Sequence, residues 1–228
     1  MILLPIPIPI LYQDARVVVC VKPVGLLSED GGLPDMLAEQ LGVSRVYCVH
    51  RLDRDVGGVM AYALDGKTAA LLAEAFSGRR ATKEYVLIAH GVPEPEAGEM
   101  TDLLYHDAAR NKTYVVSRPR KGVKDARLEY RALARADLES GPLSLTRVRL
   151  LTGRSHQIRA QFASRKMPLF GDARYGSPRR NEDIALWSFR LAFEYPKTGK
   201  VFDFSYFPPS VEPWSVFPAL EELLKGTE

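Results

Sequence analysis

His50-Arg51-Leu52-Asp53-Arg54-Asp55, continued by Val56-Gly57-Gly58 and the apolar run Val59-Met60-Ala61-Tyr62-Ala63-Leu64, is the stretch on which the reading of this chain turns. It sets a carboxylate between two arginines at the mouth of a run apolar enough to be a buried strand. A cationic neighbour within several ångströms keeps a carboxylate ionised in a partly dry site, and an ionised, oriented carboxylate serves as a nucleophile or base. Asp53 is therefore the first candidate for chemistry. Alone, the hexamer reads better as a solvated charge cluster in a loop, with Asp53 and Arg54 a surface pair worth under ~1 kcal/mol. It does not stand alone. Far downstream come Thr152-Gly153-Arg154-Ser155-His156-Gln157-Ile158-Arg159 and then Pro168-Leu169-Phe170-Gly171-Asp172-Ala173-Arg174-Tyr175-Gly176.

Working outward, the hydrophobic spacing is strand-rich with a few helices. Val17 to Val21 is expected as a buried strand, Pro34 to Leu41 as a short helix closed by Gly42, and Val46 to Val49 and Val59 to Leu64 as strands flanking the Asp53 loop. Asp65 caps a helix through Phe76 that Gly78 ends. Thr82 to His90, Arg127 to Ala136 and Ser144 to Leu151 alternate as strands do, and Ser155 to Ser164 is expected as a helix capped by Ser155. Leu186 to Tyr195 and Val201 to Phe207 form a hairpin through Pro196-Lys197-Thr198-Gly199-Lys200, and Trp214 to Lys225 closes the chain as an amphipathic helix. Antiparallel strands outnumber helices and no strand-helix-strand alternation persists, so the fold class is α+β.

A chain of 228 residues exceeds the usual single-domain size yet falls short of two comfortable domains. One catalytic domain over residues 1–228, folded as two lobes about a cleft, is expected. The 46% hydrophobic and 26% charged fractions are those of an ordinary soluble globular protein. Cys20 and Cys48 lie far apart in apolar runs and read as buried reduced thiols, which fits a cytoplasmic protein. The apolar segment Met1 to Ile10 lacks a basic flank and carries alternating prolines, so it reads neither as a signal peptide nor as a helix, and no other stretch is long enough to span a bilayer. A net charge of +3 is too weak by itself to mark a nucleic-acid binder. Its distribution says more: from Arg110 to Arg131 a run of lysines and arginines meets only Asp125 and Glu129, and from Arg147 to Arg180 the single acid is Asp172. Both are candidate phosphate-contacting surfaces.

These motifs together resemble the RluA family of RNA pseudouridine synthases. The family carries H-R-L-D-x-x-T-S-G, a later K-x-Y, and T-G-R-x-H-Q-I-R leading to G-D-x-x-Y-G. Here those read as His50 to Gly58, Lys83-Glu84-Tyr85, Thr152 to Arg159 and Gly171 to Gly176, with Lys22-Pro23-Val24-Gly25-Leu26 matching the first family motif. The resemblance implies a bent, mixed, mainly antiparallel sheet with flanking helices and a central RNA-binding cleft. It implies isomerisation of a uridine in structured tRNA or ribosomal RNA, a redox-neutral reaction needing no cofactor and no metal, by a protein expected to be monomeric. It also implies roles: Asp53 as the catalytic aspartate, Arg159 as the arginine paired with it, Tyr85 as the active-site tyrosine, and Arg51 as the group that fills the stack a flipped base leaves. Asp55 is the competitor for Asp53 but falls where the motif varies. Arg54, Arg154 and Arg174 are substrate-binding candidates, with Arg179 a further phosphate ligand. His50 and His156 read as hydrogen-bonding struts and Gly153, Gly171 and Gly176 as turn residues.

The chain departs from the family pattern at three places. Val56-Gly57 replaces Thr-Ser, removing two hydroxyls beside the catalytic loop; Gln161 stands where histidine is common; Lys166 replaces a frequent glycine before Met167-Pro168. A rival reading follows from the first: an idle RNA-binding or RNA-folding module that kept the cleft and lost efficient chemistry. A carboxylate glycosidase would need a second acid across the sugar, and Asp55 is too close in sequence to supply it. The chain reads as beginning almost at the catalytic fold, so RNA recognition is expected from that fold rather than from a separate basic N-terminal domain.

Overall fold

The strand-like runs and capped helices take shape in a computed structural model that describes residues 7–78, 80–179, 182–195 and 198–226. In chain order these are β1 (Ile10–Gln13), β2 (Val17–Lys22), α1 (Leu33–Leu41), β3 (Tyr47–Cys48), β4 (Gly57–Ala63), α2 (Gly66–Ser77), β5 (Ala81–His90), β6 (Ala97–Asp107), β7 (Lys112–Val116) and β8 (Val123–Leu138). β9 (Gly141–Leu150), α3 (Gln157–Ser164), β10 (Leu186–Glu194), β11 (Val201–Ser205) and α4 (Leu220–Lys225) complete the set. The class is α+β with a mainly antiparallel sheet. The chain forms two compact units, one from the residues up to Thr82 with Ser188–Tyr206, the other from Lys83–Trp187 with the residues from Phe207 onward.

In the first unit β2 pairs antiparallel with β1 and β4, β3 adds to β4, and β11 pairs with β10 in the expected hairpin. Pro196 and Lys197 of the expected turn lie outside the described residues. All seven residues of β4 are buried, which is why this strand reads as a continuous apolar run and not as an alternation. Val59, Ala61 and Ala63 pack with Val17 and Val19 of β2, Leu72 and Phe76 of α2, and Phe193 and Phe202 of the hairpin. Asp65 caps α2 as expected, its carboxylate accepting from the Thr68 amide at 2.8 Å and the Thr68 hydroxyl at 2.7 Å. At Gly58, with φ of 122°, a Cβ would collide with the Ser188 backbone, so β4 and the start of β10 approach too closely for any other residue.

In the second unit β5 pairs with β9, β9 with β8, β8 with β6, and β6 with β7 at the edge. Ala160 of α3 packs on Leu104 of β6 and Ala126 of β8. The structure corrects several boundaries. Strands β1, β6 and β7 were not expected: β6 exposes much of one face and carries Glu99, Thr101 and Asp102, so its apolar signal is thin. β8 extends beyond the expected Arg127 to Ala136 at both ends, because β6 pairs with it back to Val123 and β9 out to Leu138, with a bulge between Ala132 and Ala134 inside it. α3 starts at Gln157, with His156 in the left-handed region at φ 51° as its N-cap and no side-chain cap; Ser155 instead offers its carbonyl to the Thr113 hydroxyl at 2.7 Å. The expected terminal helix is a short turn at Trp214–Val216 followed by α4, because Pro218 interrupts it. Cys20 is buried and its thiol is pushed up to about 12, while Cys48 is half-buried and donates to the His50 carbonyl.

Candidate active site

Asp53 lies in the connection between β3 and β4, half-buried, between buried Leu52 and exposed Arg54 and Asp55. The backbone around it is held from several sides. The Ser28 hydroxyl donates to the Leu52 carbonyl at 2.9 Å and accepts from the Leu52 amide at 3.1 Å. The Val56 amide closes a turn on the Asp53 carbonyl at 3.0 Å. The Arg54 carbonyl accepts from the Gly25 amide at 2.9 Å and from the Lys22 ammonium at 3.0 Å. Lys22, fully buried at the end of β2, spends its other two donors on the carbonyls of Pro23 and Leu26, at 2.9 and 2.7 Å. Burial lowers its pKa to about 8 against the opposing pull of Asp55 and Asp53. Upstream, the Ala61 amide of β4 donates to His50 Nε2 at 3.0 Å, and the His50 ring stacks on Phe76. His50 is thus a strut, as expected, its Nε2 accepting from the backbone of β4.

Tyr85 is buried on β5, directly after Lys83 and Glu84 in the K-x-Y motif. Burial lowers the Lys83 pKa. Glu84 points to the other face, where Arg147 of β9 grips both its oxygens at 2.9 and 3.0 Å. This part-buried pair pins β5 to β9 beside the tyrosine.

Arg159 is buried on α3, and its Nε and Nη2 reach the two carboxylate oxygens of fully buried Asp172 at 2.7 and 3.0 Å. Its guanidinium also sits over the Tyr175 ring at 5.2 Å. The Tyr175 hydroxyl accepts from the Thr113 amide of edge strand β7 at 2.7 Å and pairs with His156 Nδ1 at 3.1 Å. Gly171, at φ 77°, has no room for a Cβ against the Asp183 carbonyl, and Gly176 ends the turn in the left-handed region, so both are the turn residues expected; Gly153 is outside that region. The segment carrying Asp172 is tied to β5 by the Phe170 amide on the Ile88 carbonyl and the Ile88 amide on the Ala185 carbonyl. Gln157 organises the other end of the motif: its Oε1 accepts from the Thr152 hydroxyl and the Arg154 amide, and its Nε2 donates to the Arg127 carbonyl.

The structure brings Asp53, Arg51 and Arg54 into the first unit and Tyr85, Arg159, Arg154 and Arg174 into the second. Exposed Arg51 pairs with Glu29 at 2.9 Å. Arg54 Nε donates to the Gly25 carbonyl, Arg154 Nε to the Asp125 carbonyl, and Arg174 Nη1 to the carbonyls of Arg110 and Asn111. These arginines therefore have local anchors in the chain, which the spacing did not reveal. Residues that the motif reading left without a role, Ser28, Lys22, Asp172 and Tyr175, are those that hold the named ones in place. For Lys22 a signal existed: a lysine directly following five apolar strand residues.

A sequence profile described as RNA pseudouridylate synthase matches residues 16–164 of the chain. The chain belongs to the RNA pseudouridylate synthase family. An RNA pseudouridine synthase of Aquifex aeolicus, described as uncharacterized, is 32% identical over 95% of this chain and 74% of its own length. A tRNA pseudouridine synthase C of Vibrio vulnificus is 30% identical, covering 82% of this chain and 80% of that one. A ribosomal large subunit pseudouridine synthase D of Borreliella burgdorferi is 30% identical over 89% of this chain, which spans 66% of that relative. The fold is that of a solved human protein, RNA pseudouridylate synthase domain containing 1, with a TM-score of 0.78 over 96% of this chain and 95% of the other at 20% identity. Membership of this synthase family makes the chain an RNA-modifying isomerase by class.

Proposed function

We propose that this synthase converts a uridine of a structured tRNA or ribosomal RNA to pseudouridine, with Asp53 as nucleophile, Tyr85 against the uracil and Arg159 as the cationic partner of the carboxylate. The observation that carries the reading is the pinned loop: Asp53 is half-exposed while the peptides on both sides of it are hydrogen-bonded. A surface charge cluster needs no such support; a nucleophile that must meet one atom of a nucleotide does. The reaction breaks the N1–C1′ bond, turns the uracil, joins C5 to C1′, and moves the C5 proton off the ring while N1 regains one, with no change of oxidation state.

The uridine must first leave its stack, at a cost of a few kcal/mol that is least in loops. Arg51 fills the vacated place. Its pair with Glu29 is exposed on both sides and contributes little, so it can be broken for a base stack. Arg54, Arg154 and Arg174 hold phosphates with the guanidinium edges turned away from their carbonyl anchors. The family match supports the reaction class, and the relatives named for tRNA and for ribosomal RNA leave both substrates in view.

The test uses in vitro transcripts of tRNAs and ribosomal RNA domains labelled with tritium at uridine C5. Turnover releases the label, whereas an idle RNA-binding module binds without release. Asp53→Asn is expected to abolish release and to leave RNA affinity within several-fold of wild type; full activity in that variant overturns the assignment.

A further inference from the structure

We infer that Ser28 is a positioning residue for Asp53, acting through one hydroxyl that fixes the peptide bond leading into the nucleophile; this rests on the role proposed for Asp53. The Leu52 carbonyl belongs to the same peptide plane as the Asp53 nitrogen, so the bond from Ser28 Oγ to that carbonyl at 2.9 Å sets the orientation of the plane about which Asp53 turns. The same oxygen accepts the Leu52 amide at 3.1 Å, so a single side chain satisfies both polar groups of Leu52 as a neighbouring strand would. On the far side the Val56 amide holds the Asp53 carbonyl at 3.0 Å. Both peptide planes flanking Asp53 are thereby fixed, and the side chain departs from the Cα between them in a set direction.

Ser28 is itself immobilised. It is 3% exposed, and its carbonyl accepts from the hydroxyl of Tyr62 at 3.2 Å, a fully buried residue near the end of β4. The anchor is thus referenced to the strand that follows the loop and not to solvent-exposed chain. Val56 and Gly57, the residues after Arg54 and Asp55, carry no hydroxyl with which to brace the loop from its other end. Serine suits the position because its hydroxyl both donates and accepts, as Leu52 requires. Alanine would leave a buried amide and a buried carbonyl without this partner, and the peptide would turn to find others. Displacement of a reacting group by about 1 Å is enough to slow a reaction on the order of 100-fold.

The experiment compares Ser28→Ala, Ser28→Thr and Asp53→Asn in single-turnover tritium release from the same C5-labelled transcripts, with RNA affinity from filter binding, all well below each protein's melting temperature. Ser28→Ala is expected to turn over on the order of 10- to 100-fold more slowly with RNA affinity within several-fold of wild type, and Ser28→Thr, which keeps the hydroxyl, to recover the rate. A residue that only stabilises the fold would lower the melting temperature and leave the rate of the folded protein unchanged; that result overturns the inference, as does equal slowing by alanine and threonine. Should the alanine variant not fold, Ser28→Cys replaces it: a weaker donor of nearly the same shape, expected to be slowed, with a wild-type rate overturning the inference. Asp53→Asn separates the two readings. If it is inactive while folded Ser28→Ala is fully active, Ser28 alone is refuted; if it is active, the role of Asp53 falls and the inference with it.

Discussion

Lys22 shows how a single side chain can oppose stability while shaping a site. Three hydrogens on the ammonium meet three carbonyls, at Pro23, Leu26 and Arg54, and a neutral amine has only two hydrogens to offer. Yet burial penalises the charge, and the folded-state pKa is lowered from 10.5 to about 8. Below pH about 8 the lysine is charged in both states and the folded protein bears the desolvation. Between about 8 and 10.5 the folded state is neutral while the unfolded state still binds the proton, so the contribution of Lys22 to stability rises with pH across that window. Urea unfolding of wild type and Lys22→Met at pH 7, 8, 9 and 10 checks this: the difference, wild type minus variant, should move in favour of wild type from pH 8 upward, and a constant difference contradicts it. The alkaline gain comes with the loss of one of the three hydrogen bonds that Lys22 donates, of which the one to the Arg54 carbonyl reaches the Asp53 loop. The sequence showed Lys22 as part of a motif and Asp53 as a candidate, but the hydrogen bonds joining them run between backbone carbonyls and a lysine that no spacing rule connects.

Among the elements, α3 is where a departure from the family pattern becomes a physical quantity. Its C-terminus closes with the Met167 amide on the Phe162 carbonyl at 3.1 Å and the Lys166 amide on the Ala163 carbonyl at 3.0 Å, a paired closure that requires a left-handed residue between them. Lys166 supplies it at φ 62°, the conformation in which glycine bears no Cβ strain. Lys166→Gly should therefore stabilise the protein by about 1 kcal/mol, seen as a higher melting temperature; a lower one would show that the lysine side chain holds something more than the turn. The frequent glycine of the family was legible in sequence; its reason, the left-handed closure of α3, came only with the structure. The Asp65 cap of α2, the Gly42 stop of α1 and the buried run of β4 were legible because each is a local rule acting within one element. What escaped was non-local. The start of α3 is set by Gln157 holding Arg127 of β8, and β6 is a strand because β8 pairs with it from Ala97 to Tyr105, not because its own residues alternate.

At the scale of the whole chain, charge is where counting and structure part. Both basic stretches belong to the second unit, and by sequence they look alike. The structure distinguishes them. In the later stretch Arg147 pairs with Glu84 and Arg165 with Asp102 at 2.9 Å, and Arg159 is buried beside Asp172, so much of its charge is met inside the protein, while Arg180 lies outside the described residues. In the earlier stretch Arg118, Lys121 and Lys124 are exposed around the connection between β7 and β8, and Arg120 lies over the Tyr105 ring at 4.5 Å. Phosphate contacts, and the counterions they displace, are therefore expected mainly from residues 110–131. Each phosphate neutralised on single-stranded RNA adds about 0.7 to the slope of log affinity against log salt. The triple variant Arg118→Gln/Lys121→Gln/Lys124→Gln should lower that slope by about 2 with affinity falling most at low salt, whereas Arg165→Gln should leave the slope nearly unchanged. Filter binding of the labelled transcripts between 50 and 200 mM salt, roughly the range over which phosphate contacts weaken binding by orders of magnitude, makes the measurement. A wild-type response flat across that range would remove RNA as the partner, and equal slopes in wild type and the triple variant would move the phosphate surface away from this hairpin.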